Sequence, residues 1–389
     1  MNAIKSIKPW SITIAVAGIA LAIAIRYSLL DFKSVDYLDY TKVWYNTIKA
    51  SGFTAFSQNF SNYNPPYLYL LYVVVRLYPD LPGLIAIKIP SLVADFILAW
   101  LALQIVRLEY PKSSFPVFAA FGILFAPTIV LNSALWGQAD AIYTAALVAC
   151  VYFLMIKKHF LGLLCFGISI SFKAQAIFLS PLLFALLLRK EIPWKYFLLI
   201  PFVMALSLVP SWVAGRPLPD LLMIYPAQAQ QYEQLSMHAP SFFSWFPNYG
   251  RLYPYFYPAG LILTTVIALS FSILVYKSKA AMSPPVLMRL ALLSVILMPF
   301  VLPKMLDRYF YPADVLSIIY AFYVPGYFYV AVAMTVISFF AYQPTLFNVE
   351  PVPISLLAVG VLFLITVLIK ETMGQLFPAK PETKSSQTQ

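Results

Sequence analysis

Apolar residues in this chain run on continuously instead of alternating, and the runs approach the roughly 20 residues that a helix needs to cross a hydrocarbon layer. Twelve such runs can be drawn, at about 9–30, 84–107, 115–133, 141–156, 159–173, 175–189, 195–214, 254–276, 284–302, 309–324, 326–343 and 353–370. Several are short, which suits helices that tilt little or are half-buried. Continuous runs exclude an outer-membrane barrel, whose strands alternate. The pattern predicts an all-α, polytopic helical membrane protein of about 12 transmembrane helices. One membrane domain is expected over 1–377, with long polar segments at 31–83 and 215–253 and a disordered cytoplasmic tail at 378–389.

Within 31–83 the pattern changes. Tyr37, Tyr40, Trp44 and Ile48 fall on one helical face, which predicts an amphipathic helix with an aromatic stripe lying in the membrane interface. Asp36 precedes it, where a helix N-cap is expected. Asn64-Pro65-Pro66 then starts a second apolar helix, to Tyr78, that is too short to span and is read as embedded in the outer leaflet.

Composition agrees with the pattern. Of 389 residues 61% are hydrophobic and 11% charged, where a soluble chain carries about a quarter charged. The net charge of +11 reads as positive-inside bias, with attraction to anionic lipid, and calls for no nucleic acid. With Lys5 and Lys8 in the cytoplasm, the basic residues Arg107, Lys112, Lys157, Lys158, Arg189, Lys190, Lys195, Lys277, Lys279 and Lys370 all fall in loops on that side. Cys150 and Cys165 lie in apolar runs and read as small core residues. The first run lacks a small-residue cleavage site and reads as a retained helix.

The polar motifs collect on the other side. They are the Asp36/Asp39 loop, Asn64, the Asn132–Asp140 turn with Trp136 and Gln138, Lys173-Ala174-Gln175, the amide- and aromatic-rich loop with Gln228 and His238, and Pro303–Arg308 with Lys304 and Asp307. Lys88 and Asp95, two turns apart in the second run, are expected to face inward as structural charges. Lys304 and Arg308, four apart, would share a face on a helical turn. A Walker motif, HExxH, a dinucleotide fingerprint and CxxC are all absent. A carboxylate that takes a proton from an attacking hydroxyl, with cations that hold a leaving phosphate, suits displacement at a sugar carbon. The outer face of a membrane has no nucleotide sugars, so the donor would be a polyprenyl-phosphate sugar. Amides with aromatics suit a sugar, and equally an ordinary interfacial loop. No cofactor is called for, and no tight carboxylate cluster points to a divalent metal.

Asp36-Tyr37 with Trp44, Tyr63-Asn64-Pro65-Pro66-Tyr67, Trp136-Gly137-Gln138-Ala139-Asp140, Lys173-Ala174-Gln175 and Leu302–Tyr311 occur in the order found in the multi-span GT-C glycosyltransferases. Over residues 30–325 the chain resembles bacterial proteins related to GPI mannosyltransferase II and, more distantly, the dolichyl-phosphate-glucose-dependent glucosyltransferases. The resemblance implies an inverting transfer of mannose or glucose to a lipid-linked or cell-envelope acceptor, in a bacterial inner membrane with the site facing outward. It implies Asp36 as base with Asp39 as runner-up, and Lys304, Arg308 and Lys173 as donor-phosphate ligands. Asn64, Trp136, Gln138, Asp140, Gln175, His238 and Asp307 would contact substrate. The family's late motif reads His-Glu-Arg or His-Glu-Lys; here it is Leu306-Asp307-Arg308, so the histidine and its contact are missing. The competing class is a polytopic transporter or lipid-linked saccharide flippase. The absence of a clear repeat between halves, and motifs at one face instead of the midplane, weigh against it.

Overall fold

The computed structural model describes residues 9–248, 251 and 253–378, so most of the tail expected at 378–389 lies outside the described residues, as do Lys5 and Lys8. The described residues are mostly helical: α1 (Pro9–Tyr27), α2 (Lys42–Ser51), α3 (Pro65–Leu77), α4 (Gly83–Glu109), α5 (Phe115–Phe125), α6 (Pro127–Val130), α7 (Asp140–Met155), α8 (His159–Phe172), α9 (Ser180–Leu188) and α10 (Leu199–Val213). There follow α11 (Leu218–Leu222), α12 (Ile224–Gln230), α13 (Tyr253–Lys277), α14 (Pro284–Val301), α15 (Tyr311–Tyr323), α16 (Phe328–Phe347) and α17 (Ile354–Leu376). Among the described residues six helices are long and apolar enough to cross a membrane, and a seventh span is made if α5 and the bent continuation Pro127–Trp136 count as one. The remaining apolar runs fold as shorter helices.

Helices α4, α7, α14 and α15 form the centre, and every residue of α14 from Leu287 to Val301 is buried. The outer helices keep apolar stripes exposed: Phe202, Leu206 and Val209 on α10, Ile262, Val266 and Leu269 on α13, Val359 and Phe363 on α17. Such stripes are unfavourable in water and ordinary against lipid tails. This is an integral membrane protein.

Two buried ion pairs cross the centre. Arg26 meets Asp95 at 2.9 Å, and Lys173 meets Asp140 at 2.6 Å. Lys88 and Asp95 both face inward as expected; the Lys88 ammonium donates to the carbonyls of Leu29, Leu30 and Phe32, the chain's exit from α1. Cys150 and Cys165 are free thiols.

The basic loops meet at one end of the bundle. Arg189 donates to the carbonyls of Val275, Ser278 and Ala280, and Ser278 to that of Leu376. The polar motifs meet at the far end of α13. There a parallel two-residue pairing of β1 (Ser236–Met237) with β2 (Met305–Leu306) ties the 215–253 loop to the Pro303–Arg308 segment.

Candidate active site

Two π-helical turns shape the site. The first, Tyr37–Thr41, directly follows Asp36; the second, Leu131–Trp136, continues the bent α5–α6 span. Pro127 breaks that span because it lacks an N–H and pushes Ala126 to an extended conformation (ψ 124°), and the axis turns by 48°. The second π turn ends at Gly137 with φ 78°, a left-handed conformation that favours glycine; an added Cβ would also press on the Lys88 side chain at 3.3 Å. Asn132 and Ser133 inside this turn are each bonded to one buried pair: Asn132 donates to Asp140 at 3.0 Å and Ser133 to Asp95 at 2.6 Å. The turn is thereby fixed from both sides, and it presents Trp136 and Gln138.

What it presents them to is Asp36. Trp136 Nε1 donates to Asp36 Oδ2 at 2.8 Å and Gln138 Nε2 to the same oxygen at 2.6 Å, while Arg308 Nη1 lies 3.6 Å away. Asp36 Oδ1 accepts no hydrogen bond among the described residues. The carboxylate is partly open, with 27% of its side chain exposed. Asp36 is not the N-cap its position suggested. It already has helical dihedrals and makes no side-chain cap; Ser34 caps the turn by accepting from the Tyr37 N–H at 3.2 Å and donates onward to the Trp136 carbonyl at 3.0 Å. The π turn also breaks the expected aromatic stripe: Trp44 and Ile48 are buried, but Tyr40 is exposed.

Arg308 lies over the Trp136 ring at 5.1 Å, and its buried Nε has no hydrogen-bond partner. Burial works against its charge, yet Asp36 and the neighbouring acidic groups hold its pKa well above the ordinary arginine value. Behind it, Asp307 accepts from the Arg308 N–H at 2.7 Å and from Thr345 Oγ1 at 2.5 Å, and the Thr345 hydroxyl meets His238 Nδ1 at 3.1 Å. Burial pushes the Asp307 carboxyl up to about 6 against the opposing pull of Arg308. A carboxyl raised in the folded state loses stabilising protonation as pH rises from the unfolded value of 3.8 through about 6. Relative to the parent, Asp307→Asn should therefore become more stable as pH rises from about 4 to about 6, and the difference should then stay constant. Thermal unfolding of both proteins across pH checks this, and parallel curves would refute it.

The other expected residues sort into neighbouring positions. Lys173 and Asp140 satisfy each other, with the Lys173 ammonium 5.2 Å from the Tyr63 ring. Tyr63 hydroxyl reaches Gln138 at 3.4 Å and so links this pair to the Asp36 cluster. Lys304 and Arg308 do not share a helical face. Lys304 has φ 63°, β2 follows it, and a 3-10 turn begins only at Asp307. Arg308 therefore enters the hollows beside Asp36 and Lys173, whereas Lys304 lines an adjoining cavity of about 200 Å³ with Gln175, Tyr232 and Tyr309. The exposed apolar side chains of Ile177 and Leu261 form another part of that cavity's wall. Asn64 lies apart, donating to the Ser171 carbonyl at 2.6 Å as a latch between α3 and α8. His238 is exposed on the Thr345 side, and Asp39 lines a separate outer cleft.

Sequence reasoning missed Asn62, Tyr232 and Thr345. Asn62 and Tyr232 were adjacent to motifs that stood out, at Asn64-Pro65 and in the amide run. Thr345 gave no signal, because an isolated threonine in an apolar helix is unremarkable until its partner is known. Among the described residues no group of three or more His, Cys, Asp or Glu is placed to hold a metal ion.

No family model matches the chain, and no curated protein matches it. Solved structures do. The crystal structure of ArnT from Cupriavidus metallidurans bound to undecaprenyl phosphate superposes with a TM-score of 0.56 at 15% identity, covering 92% of this chain and 77% of ArnT. The apo ArnT structure gives 0.51 at 15% identity, covering 95% and 78%. The fold is the helical membrane GT-C fold. At such identity the likeness is one of fold. Helix α16, beyond the sequence motifs, supplies Thr345 to the site.

Proposed function

We propose that this chain is an inverting membrane glycosyltransferase. It moves a hexose, mannose or glucose, from a polyprenyl-phosphate sugar to a lipid-linked or cell-envelope acceptor on the non-cytoplasmic face of a bacterial inner membrane. The observation that carries this reading is the Asp36–Arg308 pair, a partly open carboxylate facing a guanidinium that lines two neighbouring hollows. The GT-C fold and the undecaprenyl phosphate held by the ArnT structure support a polyprenyl-phosphate partner. The motif order supports the hexose.

Asp36 Oδ1 takes the proton of an acceptor hydroxyl. The hydroxyl oxygen forms a bond to the anomeric carbon as that carbon's bond to the phosphate oxygen breaks, with inversion, and the polyprenyl phosphate leaves with the electron pair. Arg308, with an unpartnered Nε and a planar fork, suits the phosphate. Lys173 lines the same hollow and Lys304 the next cavity, whose apolar wall suits a lipid chain. Donor binding would draw Arg308 from Asp36 to the phosphate.

Purified protein in nanodiscs with a short-chain polyprenyl-phosphate hexose tests the reading. Release of polyprenyl phosphate coupled to acceptor glycosylation is expected; sugar-lipid translocation without cleavage would overturn it in favour of a flippase. Arg308→Lys keeps the charge but loses the fork, and should weaken donor affinity or turnover by about tenfold or more. An interfacial anchor would tolerate that change. For orientation, Glu233→Cys should be labelled by an impermeant maleimide only from the non-cytoplasmic side; labelling from the cytoplasm alone would invert the proposed topology.

A further inference from the structure

Beside the site lies an open cleft of about 650 Å³, within the range of small-molecule sites. It adjoins the Asp36 hollow, with which it shares Tyr40, Trp44 and Asn62. All of its walls come from the two long polar segments, 31–83 and 215–253; none comes from a membrane-crossing helix. Its occupant is therefore approached from the aqueous side of the interface, unlike the cavity at Lys304 with its exposed apolar wall.

The lining is specific in charge. Asp39 and Asp220 stand against a single guanidinium, Arg216, and no lysine or other arginine lines the space. The cleft thus carries one net negative charge, and an anionic ligand would meet repulsion there. Arg216 is 3% exposed and donates to Asn59 Oδ1 at 2.8 Å, while its Nε has no partner. Burial lowers its pKa and the charge of Asp220 opposes that. The net negative charge of the whole lining, and not the guanidinium alone, sets which ligands the cleft takes, and a guanidinium N–H can donate to a hydroxyl oxygen. Asn62 offers the complementary group: its Nδ2 donates to Gln231 at 3.1 Å, but its buried Oδ1 has no partner. Donor, acceptor and the exposed Tyr40 ring together match a molecule with many hydroxyls and one apolar face.

We infer that this cleft is the acceptor subsite and that it takes a neutral, hydroxyl-rich saccharide while rejecting acidic sugars and phosphorylated head groups. The inference rests on the glycosyltransferase reading for the word acceptor, but not for the binding chemistry.

Saturation-transfer NMR on the full-length protein in nanodiscs, with a neutral hexose disaccharide and its hexuronate counterpart as probes, reads the chemistry without turnover. The neutral disaccharide should bind at millimolar concentration and the uronate at least about tenfold more weakly. Arg216→Met keeps the length of the side chain but removes its donors. It should weaken the neutral probe about tenfold while leaving undecaprenyl phosphate binding unchanged. Asp39→Lys changes an exposed position, where folding is not at stake, and makes the cleft net positive; it should bring uronate binding up to that of the neutral probe. Equal binding of the two probes to the parent protein, no binding of the neutral probe, or no response to either variant would overturn the inference. Saccharide binding without transfer from any donor would sink the glycosyltransferase reading and leave the cleft standing. Efficient transfer to an acidic acceptor would do the reverse.

Discussion

Asp36→Asn should lower turnover by about 10²–10⁴-fold, the usual worth of general acid–base catalysis, with the protein folded and its donor affinity retained. The geometry makes this a clean substitution. The amide oxygen can take the place of Oδ2 and still accept from Trp136 and Gln138, where the parent bonds are 2.8 and 2.6 Å. The amide nitrogen then occupies the position of Oδ1, which has no hydrogen-bond partner among the described residues and is the atom assigned to the proton. Proton acceptance disappears, together with the negative charge that stands 3.6 Å from Arg308. Asp39→Asn should cost much less, since Asp39 is exposed in the neighbouring cleft. Single-turnover transfer assays on both variants decide the assignment. Near-normal transfer by Asp36→Asn would remove the base from this residue.

The second large effect concerns the Lys173–Asp140 pair. Its contact is 2.6 Å, with side-chain exposures of 9% and 0%. Lys173→Met would leave the Asp140 carboxylate buried with, among the described residues, the Asn132 amide at 3.0 Å as its remaining hydrogen-bond partner. Breaking one side of a buried pair costs about 3–5 kcal/mol, enough to unseat the π turn that carries Trp136 and Gln138. Adding Asp140→Asn removes the orphaned charge, so the double variant should recover much of the loss; a double-mutant cycle from thermal unfolding measures the coupling. Additive losses would mean that the two residues do not act as a pair. The recovered double variant also separates structure from binding. If Lys173 holds the donor phosphate as well as Asp140, donor affinity should still fall in a protein whose stability is restored.

The expected helical membrane class and the position of its polar motifs followed from features local to the chain. A run of apolar residues must be helical in lipid whatever surrounds it, because its backbone has no other hydrogen-bonding partner. A charge that persists at the edge of such a run is costly enough to mark a site. That reasoning reached Asp36, Trp136, Gln138 and Arg308 as members of one face before any contact was known. It also drew runs at the places where short helices stand, although length alone does not make spans of all of them.

Which of those residues touch was decided by the tertiary structure. Asp36 was open to being read as a helix cap, since the local pattern around it is that of a cap; what removes it from that duty is Ser34 taking the N–H and two donors arriving from 100 and 102 residues away. Lys304 and Arg308 were spaced for one helical face, but the β1–β2 pairing with a distant loop holds Met305-Leu306 extended and sends the two cations into different cavities. Lys173 and Asp140 each looked like a free site charge until packing brought them within 2.6 Å. The π turns and the partnership of Asp307 with Thr345 had no local signal at all. Helix formation in a membrane is dictated by the residue's own neighbours in sequence. The pairing of buried polar groups depends on which remote groups remain to be satisfied once the helices have packed.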